Sequence, residues 1–173
     1  LGVDIINDVT GLKYDPMMPK IIEKFCPSLV LCAFSKKFIT GDQLLKTKNL
    51  LKESLNIAKS VGIPSTKTVL DPAIGFFRKT GSGTLFTKIN TDWTKRDLLI
   101  LKNLKSIKMN KPILVSVSNK SFIGKILKNQ HLSDRLAGTL VTEAVSIING
   151  ADIIRTHNVD KTKEVITIIQ KLS

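Results

Sequence analysis

Cysteine and the large aromatics are scarce in this 173-residue chain, which holds two Cys, one Trp and one Tyr and is 5% aromatic. Cys26 and Cys32 match no zinc or redox spacing, so a disulfide scaffold is disfavoured and buried or half-buried thiols are expected. The shortage of rings leaves no aromatic ladder among the basic residues on which nucleic-acid bases would stack. No apolar run approaches ~18 residues, so no membrane-spanning helix is predicted. The opening Leu1-Gly2-Val3-Asp4 lacks the basic start and small-residue cleavage site of a signal peptide, and a cytoplasmic location is the expectation. Acidic residues are also few: 14 stand against 27 Lys plus Arg, for a net charge of +13. The lysines are spread along predicted helix faces with no block of like charge. Solvated helix faces are therefore the first expectation, attraction of an anionic substrate the second, and nucleic-acid binding the last.

What is present is ordinary for a globular domain: 42% hydrophobic and 24% charged residues, in a length that fits one domain with its own core. Five apolar, β-branched runs bounded by polar or turn residues predict buried strands at Val3 to Asn7, Leu29 to Phe34, Thr68 to Asp71, Ile113 to Ser118 and Asp152 to His157. Helical spacing fills the intervals. Pro16 to Phe25, Asp42 to Val61 and Arg96 to Ile107 are predicted helices, with Leu44, Leu45, Leu50, Leu51, Leu55, Ile57 and Ala58 on the stripe of the second and Leu98, Leu99, Leu101 and Leu104 available to the core from the third. Ser121 to Leu127 reads as a short helix. Ser133 is the expected N-cap of the next, which runs through Leu136, Leu140, Val145 and Ile148 to Gly150, and Asp160 the expected cap of the last, whose apolar face is Val165, Ile166, Ile168 and Ile169. A long loop, Phe76 to Thr94, holds Gly81-Ser82-Gly83, which reads as a flexible turn because it has neither P-loop spacing nor a strand directly before it. Strands alternating with helices, none with period-two alternation, predict a parallel α/β architecture; periodicity does not separate an open doubly wound sheet from part of a β/α barrel.

In either architecture ligands gather where strands end. Asn7 and Asp8, Asp71, then Asn119, Lys120 and Ser121, and finally Arg155 and His157 close these strands. Each has a plain structural reading: Asn7, Asp8 and Asp71 turn the chain, Lys120 and Ser121 start a helix, and His157 is a satisfied histidine. Together they place an amide, a carboxylate, an ammonium, a guanidinium and an imidazole on one rim. A carboxylate reads the donor edge of a flat heterocycle, Lys120 donates to a ring carbonyl or nitrogen, and Arg155 with His157, alternate residues of one strand, grip a phosphate. The implied ligand is a polar ring joined to an anionic group.

These residues also resemble a known family. Val3-Asp4-Ile5-Ile6-Asn7-Asp8-Val9-Thr10-Gly11 is similar to the fourth barrel strand of dihydropteroate synthases, and Leu70-Asp71-Pro72-Ala73-Ile74-Gly75-Phe76 to their sixth. Ser118-Asn119-Lys120-Ser121-Phe122-Ile123-Gly124 resembles the seventh-strand motif. Asp134-Arg135-Leu136-Ala137-Gly138-Thr139-Leu140, with Gly150-Ala151-Asp152-Ile153-Ile154-Arg155-Thr156-His157, resembles the eighth unit. The resemblance implies the C-terminal five parallel β/α units of a TIM (β/α)8 barrel, truncated before its first three units. It further implies a transferase of folate synthesis that joins 7,8-dihydropterin-6-ylmethyl diphosphate to p-aminobenzoate and releases pyrophosphate. Asn7, Asp71 and Lys120 would then hold the pterin, Arg155, Thr156 and His157 the diphosphate, and Phe76, Lys120 and Ser121 the p-aminobenzoate. Mg²⁺ is the implied cofactor, its ligand expected in the first three units. A homodimer, or pairing with a chain that supplies those units, is the implied assembly. The long Phe77 to Trp93 loop resembles archaeal members more than bacterial ones. Ala73 and Phe77 replace glycines of the family pattern, Asn119 replaces an Arg and Asn158 an Asp, and Cys32-Ala33-Phe34-Ser35 lacks its Met-His-Met. A pterin-binding methyltransferase domain and a non-catalytic pterin-binding module are the alternatives.

Overall fold

Leu29, Val30, Leu31 and Cys32 are all buried, so the strand they form has no face left for water and its sequence shows no alternation. It is the middle strand of a parallel three-stranded sheet: β1 (Ile5–Asp8), β2 (Ser28–Cys32) and β3 (Thr68–Asp71), with Asn7 opposite Val30 and Cys32 opposite Asp71. The computed structural model describes residues 2–80, 83–128 and 131–172. Gly81 and Ser82 of the expected flexible turn lie outside the described residues.

Because successive side chains point to opposite faces, this register sorts the sheet. Leu29, Leu31 and Leu70 share one sealed face. Ile5, Asn7, Val30, Cys32 and Asp71 share the other, which opens to solvent towards β1. Val3 and Ile5 are 66% and 62% exposed, so the expectation of a buried first strand fails. β1 is an edge strand here, with a pairing partner on one side among the described residues.

The helices are α1 (Met18–Phe25), α2 (Gln43–Ser60), α3 (Trp93–Lys102), α4 (Leu104–Ile107), α5 (Ser121–Leu127), α6 (Leu136–Ile148) and α7 (Val159–Leu172). Asp42 caps α2 by accepting from the Leu44 and Leu45 N–H groups, and Asp92 caps α3 through Thr94 and Lys95. The single helix expected from Arg96 to Ile107 is broken at Asn103 into α3 and α4. Leu45 of the α2 stripe and Leu99 of α3 face solvent, whereas Leu50, Leu51, Leu101 and Leu104 are buried as expected.

Short parallel pairs complete the sheet structure: β4 (Phe77–Arg78) with β5 (Thr87–Lys88), and β6 (Leu114–Val115) with β7 (Ile153–Ile154). The fourth and fifth expected strands therefore shrink to two residues each. An isolated bridge from Leu70 to Ile113, with Leu70 N–H donating to the Pro112 carbonyl, links β3 to β6. The five expected strands thus run parallel in two ladders, one of three strands and one of two, and one continuous five-stranded sheet is not formed. The region expected as loop between Phe76 and Thr94 holds β4 and β5 and buries Phe77, Thr87 and Ile89.

α6 inverts its expected burial. Thr139, Glu143 and Ser146 are buried, while Val141, Val145 and Ile148 are exposed. The inward polar groups are bonded: Thr139 Oγ1 accepts from the Asn119 N–H, Glu143 accepts from Thr162 Oγ1, and Ser146 Oγ donates to the Thr142 carbonyl. On α7, Thr162 is the buried side chain, Val165, Ile166 and Ile169 are half-buried and Ile168 is exposed, so its expected apolar face is only partly covered. Ser133 lies in a 3₁₀ turn, Ser133–Arg135, ahead of α6, and Asp160 lies inside the first turn of α7; neither is the N-cap residue.

Candidate functional site

Asp71 ends β3 at the solvent-open face of the sheet. Its carboxylate is buried and accepts from the Ala73 N–H at 2.7 Å. Burial pushes its acidity down, raising its pKa, while the Ala73 N–H, Lys120, the Cys32 thiol and Arg96 pull the other way. Cys32, the cross-strand partner of Asp71, lies 3.8 Å from Asn7 Oδ1 through its Sγ. Burial first, then the Asp71 and Asp8 charges, push the Cys32 thiol up, so it is held as a neutral donor between an amide and a carboxylate. The sequence reading gave this cysteine no part in the rim. Asp8, by contrast, folds back on its own loop, accepting from the Thr10 N–H and hydroxyl and the Leu12 N–H, which is the plain turn reading.

Lys120 is the N-cap residue of α5 and Ser121 its first residue. The Lys120 Nζ sits 4.4 Å from the centroid of the Phe76 ring. Its approach depends on Gly75, whose φ is +83° and whose position would put an added Cβ 2.9 Å from Lys120 Cδ. Burial pulls the Lys120 pKa down; Asp71 and Asp97 restrain that fall, whereas Arg155 and Arg78 add to it. Lys120 thus feels the carboxylate at the end of β3 and the guanidinium after β7 at once. Asn119, just before it, has φ of 58°, a left-handed conformation that asparagine tolerates better than the Arg of the resembled motif. Its carbonyl accepts from Arg135 at 3.0 Å and its N–H donates to Thr139 Oγ1, so Arg135 and Thr139 clamp this loop from both backbone sides.

Arg155 and His157 meet as expected from their spacing, with Arg155 Nη1 2.7 Å from His157 Nε2. An arginine only donates, so His157 Nε2 is the acceptor and the proton sits on Nδ1, which lies 2.9 Å from Ser118 Oγ. Both side chains are exposed. Thr156 points the other way, its hydroxyl accepting from the Asn158 N–H and donating to Thr162 Oγ1, whose own proton goes to the buried Glu143.

Two further residues escaped the sequence reading. Arg96 is 1% exposed, lies 3.7 Å over the Phe77 ring, and donates to the Pro72 carbonyl at 2.8 Å, to Thr47 Oγ1 at 3.0 Å and to Asp97 at 2.9 Å. Asp97 in turn accepts from the Gly75 N–H at 3.0 Å. Burial pushes the Asp97 carboxyl up, with Arg96 opposing it. The pair holds the loop between Asp71 and Phe76 from beneath. Its sequence signal was weak, since adjacent opposite charges in a helix usually mark a solvated face.

Among the described residues no group of three or more His, Cys, Asp or Glu side chains converges. The described residues at the rim do not make up a Mg²⁺ ligand set.

Parallel β/α units, with an acid ending one strand and an ammonium and a guanidinium–imidazole pair following two others, define an α/β domain with a polar rim at its strand ends. The chain belongs to the pterin binding enzyme family, whose model matches residues 1–157. It is 26% identical over 179 residues to the dihydropteroate synthase of Synechocystis sp., covering 99% of this chain and 57% of that protein. It is 33% identical over 162 residues to that of Clostridium beijerinckii, covering 91% of this chain and 54% of that one. The solved structure of dihydropteroate synthase from Clostridium difficile, in the presence of pteroic acid, superposes with a TM-score of 0.84 at 30% identity, covering 99% of this chain and 60% of the other. The chain therefore spans little more than half the length of the curated relatives it matches.

Proposed function

We propose that this chain forms the last five β/α units of a TIM (β/α)8 barrel and carries the substrate rim of a dihydropteroate synthase, joining 7,8-dihydropterin-6-ylmethyl diphosphate to p-aminobenzoate with release of pyrophosphate. The observation that carries the reading is the placing of Lys120: its side chain packs on Gly75 in the loop after Asp71 and over Phe76, and it follows shortly after Ser118, which bonds His157 beside Arg155. That spacing suits a ligand with a hydrogen-bonding ring at one end and an anion at the other.

In this reading Asp71, Asn7 and Lys120 hold the pterin, with Asp71 accepting from ring and exocyclic N–H groups. As the bond between the exocyclic methylene and the diphosphate oxygen breaks, positive charge spreads into the ring and negative charge leaves with pyrophosphate. Asp71 stabilises the first; Arg155, oriented by its bond to His157, stabilises the second, and His157 and the Thr156 backbone complete the diphosphate end. The amine of p-aminobenzoate then forms the C–N bond and loses a proton to solvent, lying near Phe76, Lys120 and Ser121. Mg²⁺, when bound by the whole enzyme, would neutralise charge on the diphosphate. The Arg155 and His157 pair favours this reading over a pterin-binding methyltransferase, which has no diphosphate to grip.

For assembly, the exposed Val141, Val145 and Ile148 of α6 and the exposed Ile168 of α7, which packs on α6, offer apolar surface suited to a second copy. The open sheet face bearing Ile5 suits the remaining barrel units. The activity is tested by joining the chain to the first three units of the Clostridium beijerinckii relative and following pyrophosphate release. Turnover that falls at least ~100-fold on Lys120→Ala and on Arg155→Ala is expected. Unchanged turnover in both variants removes the assigned roles.

A further inference from the structure

Rings and cations alternate along a wall that runs away from the pterin end of the rim. Lys120 lies over Phe76, whose centroid is 5.9 Å from that of Phe86. The Arg78 guanidinium comes next, 5.5 Å from the Phe86 centroid and 4.2 Å from that of Trp93. Lys125 follows, 5.0 Å over Trp93. Arg78 Nη2 donates to Ser121 Oγ at 2.9 Å and Nη1 to the Phe77 carbonyl at 2.8 Å. Those bonds fix the plane of the guanidinium while engaging two of its five N–H groups, so donors remain for a ligand.

Past Ser121 this wall borders a cavity of about 350 Å³, lined by Arg78, Trp93 and Lys125 among others. Its size falls at the lower end of small-molecule sites, ~300–1,000 Å³. The one carboxylate in its lining, Asp92, is already engaged: it caps α3 through Thr94 and Lys95 and pairs with Lys125 at 3.3 Å. Arg78 itself is half-buried with the Phe86 and Trp93 rings close to its guanidinium, which gives it the weakly hydrated setting in which arginine best holds a carboxylate. Phe86 comes from the loop before β5 and Trp93 is the first residue of α3, so the chain from β4 to the start of α3 builds the clamp.

We infer that Arg78, clamped between Phe86 and Trp93 and assisted by Lys125, is the specificity residue for an aryl carboxylate whose ring lies against Phe76 and Phe86. The identity of that acid as the amine substrate rests on the proposed function, with the amine turned towards Lys120 and the acid towards Arg78. The aryl-acid site itself stands on the cavity and the clamp.

Trp93 is the sole tryptophan of the sequence, so its emission reports on this cavity without any turnover. The full chain is titrated with 4-nitrobenzoate, which quenches indole emission, and with uncharged 4-nitrobenzamide. Saturable quenching with an affinity for the acid at least ~10-fold above that for the amide is expected. Arg78→Gln removes that preference, Arg78→Lys keeps part of it, and Lys125→Gln, a surface change on α5, reduces it severalfold. Asp71→Asn leaves it intact, because Asp71 serves the ring at the other end. Equal quenching by acid and amide, or a preference unchanged in both Arg78→Gln and Lys125→Gln, overturns the inference. A chain that keeps the preference but binds no pterin instead refutes the proposed reaction while leaving the aryl-acid site in place.

Discussion

Replacing Arg96 with Met tests whether a buried charge pair holds the Asp71 to Phe76 loop in place. The guanidinium is fully enclosed and its removal strands Asp97, whose side chain has no solvent exposure, with the Gly75 N–H as its remaining described hydrogen bond. The Pro72 carbonyl and Thr47 hydroxyl lose a donor as well. Breaking a buried ion pair by removing one partner costs ~3–5 kcal/mol, a large share of the ~5–15 kcal/mol that stabilises a domain. Removing both charges, as Arg96→Met with Asp97→Leu, leaves no stranded ion. The double variant is therefore expected to be less destabilised than Arg96→Met alone, a coupling of ~2 kcal/mol or more. Urea unfolding of the full chain followed by far-ultraviolet circular dichroism measures both. A loss below ~1 kcal/mol for Arg96→Met, or additive effects in the double variant, would refute the reasoning.

Lys13, its side chain 15% exposed, donates to the Leu50 carbonyl and pairs with Glu53, yet burial lowers its pKa from 10.5 to about 8. The unfolded chain then binds more protons than the folded one between those values, so this group adds stability as pH rises through the window, by at most about 3 kcal/mol. Lys13→Met should be the more stable protein at neutral pH and should lack that rise, and parallel stability curves for the two proteins would contradict this. Ala73 holds φ of 57°, a left-handed conformation that disfavours a Cβ. Ala73→Gly is expected to raise unfolding stability by up to ~1 kcal/mol, and a clear loss would show that burial of its methyl group dominates.

The parallel order of strands and helices was legible because β2 and β3 are apolar runs that stop at polar residues. The rim was legible for the same reason: Asp71, Lys120, Arg155 and His157 are polar groups just beyond apolar runs, and the fold gathers them. Strand length was not legible, since Val117 and Ser118 stay buried as in a strand after the ladder ends at Val115. Nor was α6, because a periodicity reading sends apolar residues inward, and here Thr139, Glu143 and Ser146 go inward by finding hydrogen-bond partners on other elements or on their own helix. Arg96 and Asp97 were hidden for a related reason. Their place in the core depends on the carbonyls of a distant loop, which no local pattern encodes.

The proposed function divides the rim into a ring-holding end and an anion-holding end. Calorimetric titration with dihydropterin and with pyrophosphate, of the chain joined to the first three units of a relative, tests it most directly. Asp71→Asn should weaken dihydropterin at least ~10-fold and spare pyrophosphate, and Arg155→Ala should do the reverse. Variants that weaken both ligands alike, or neither, would contradict the division of the site.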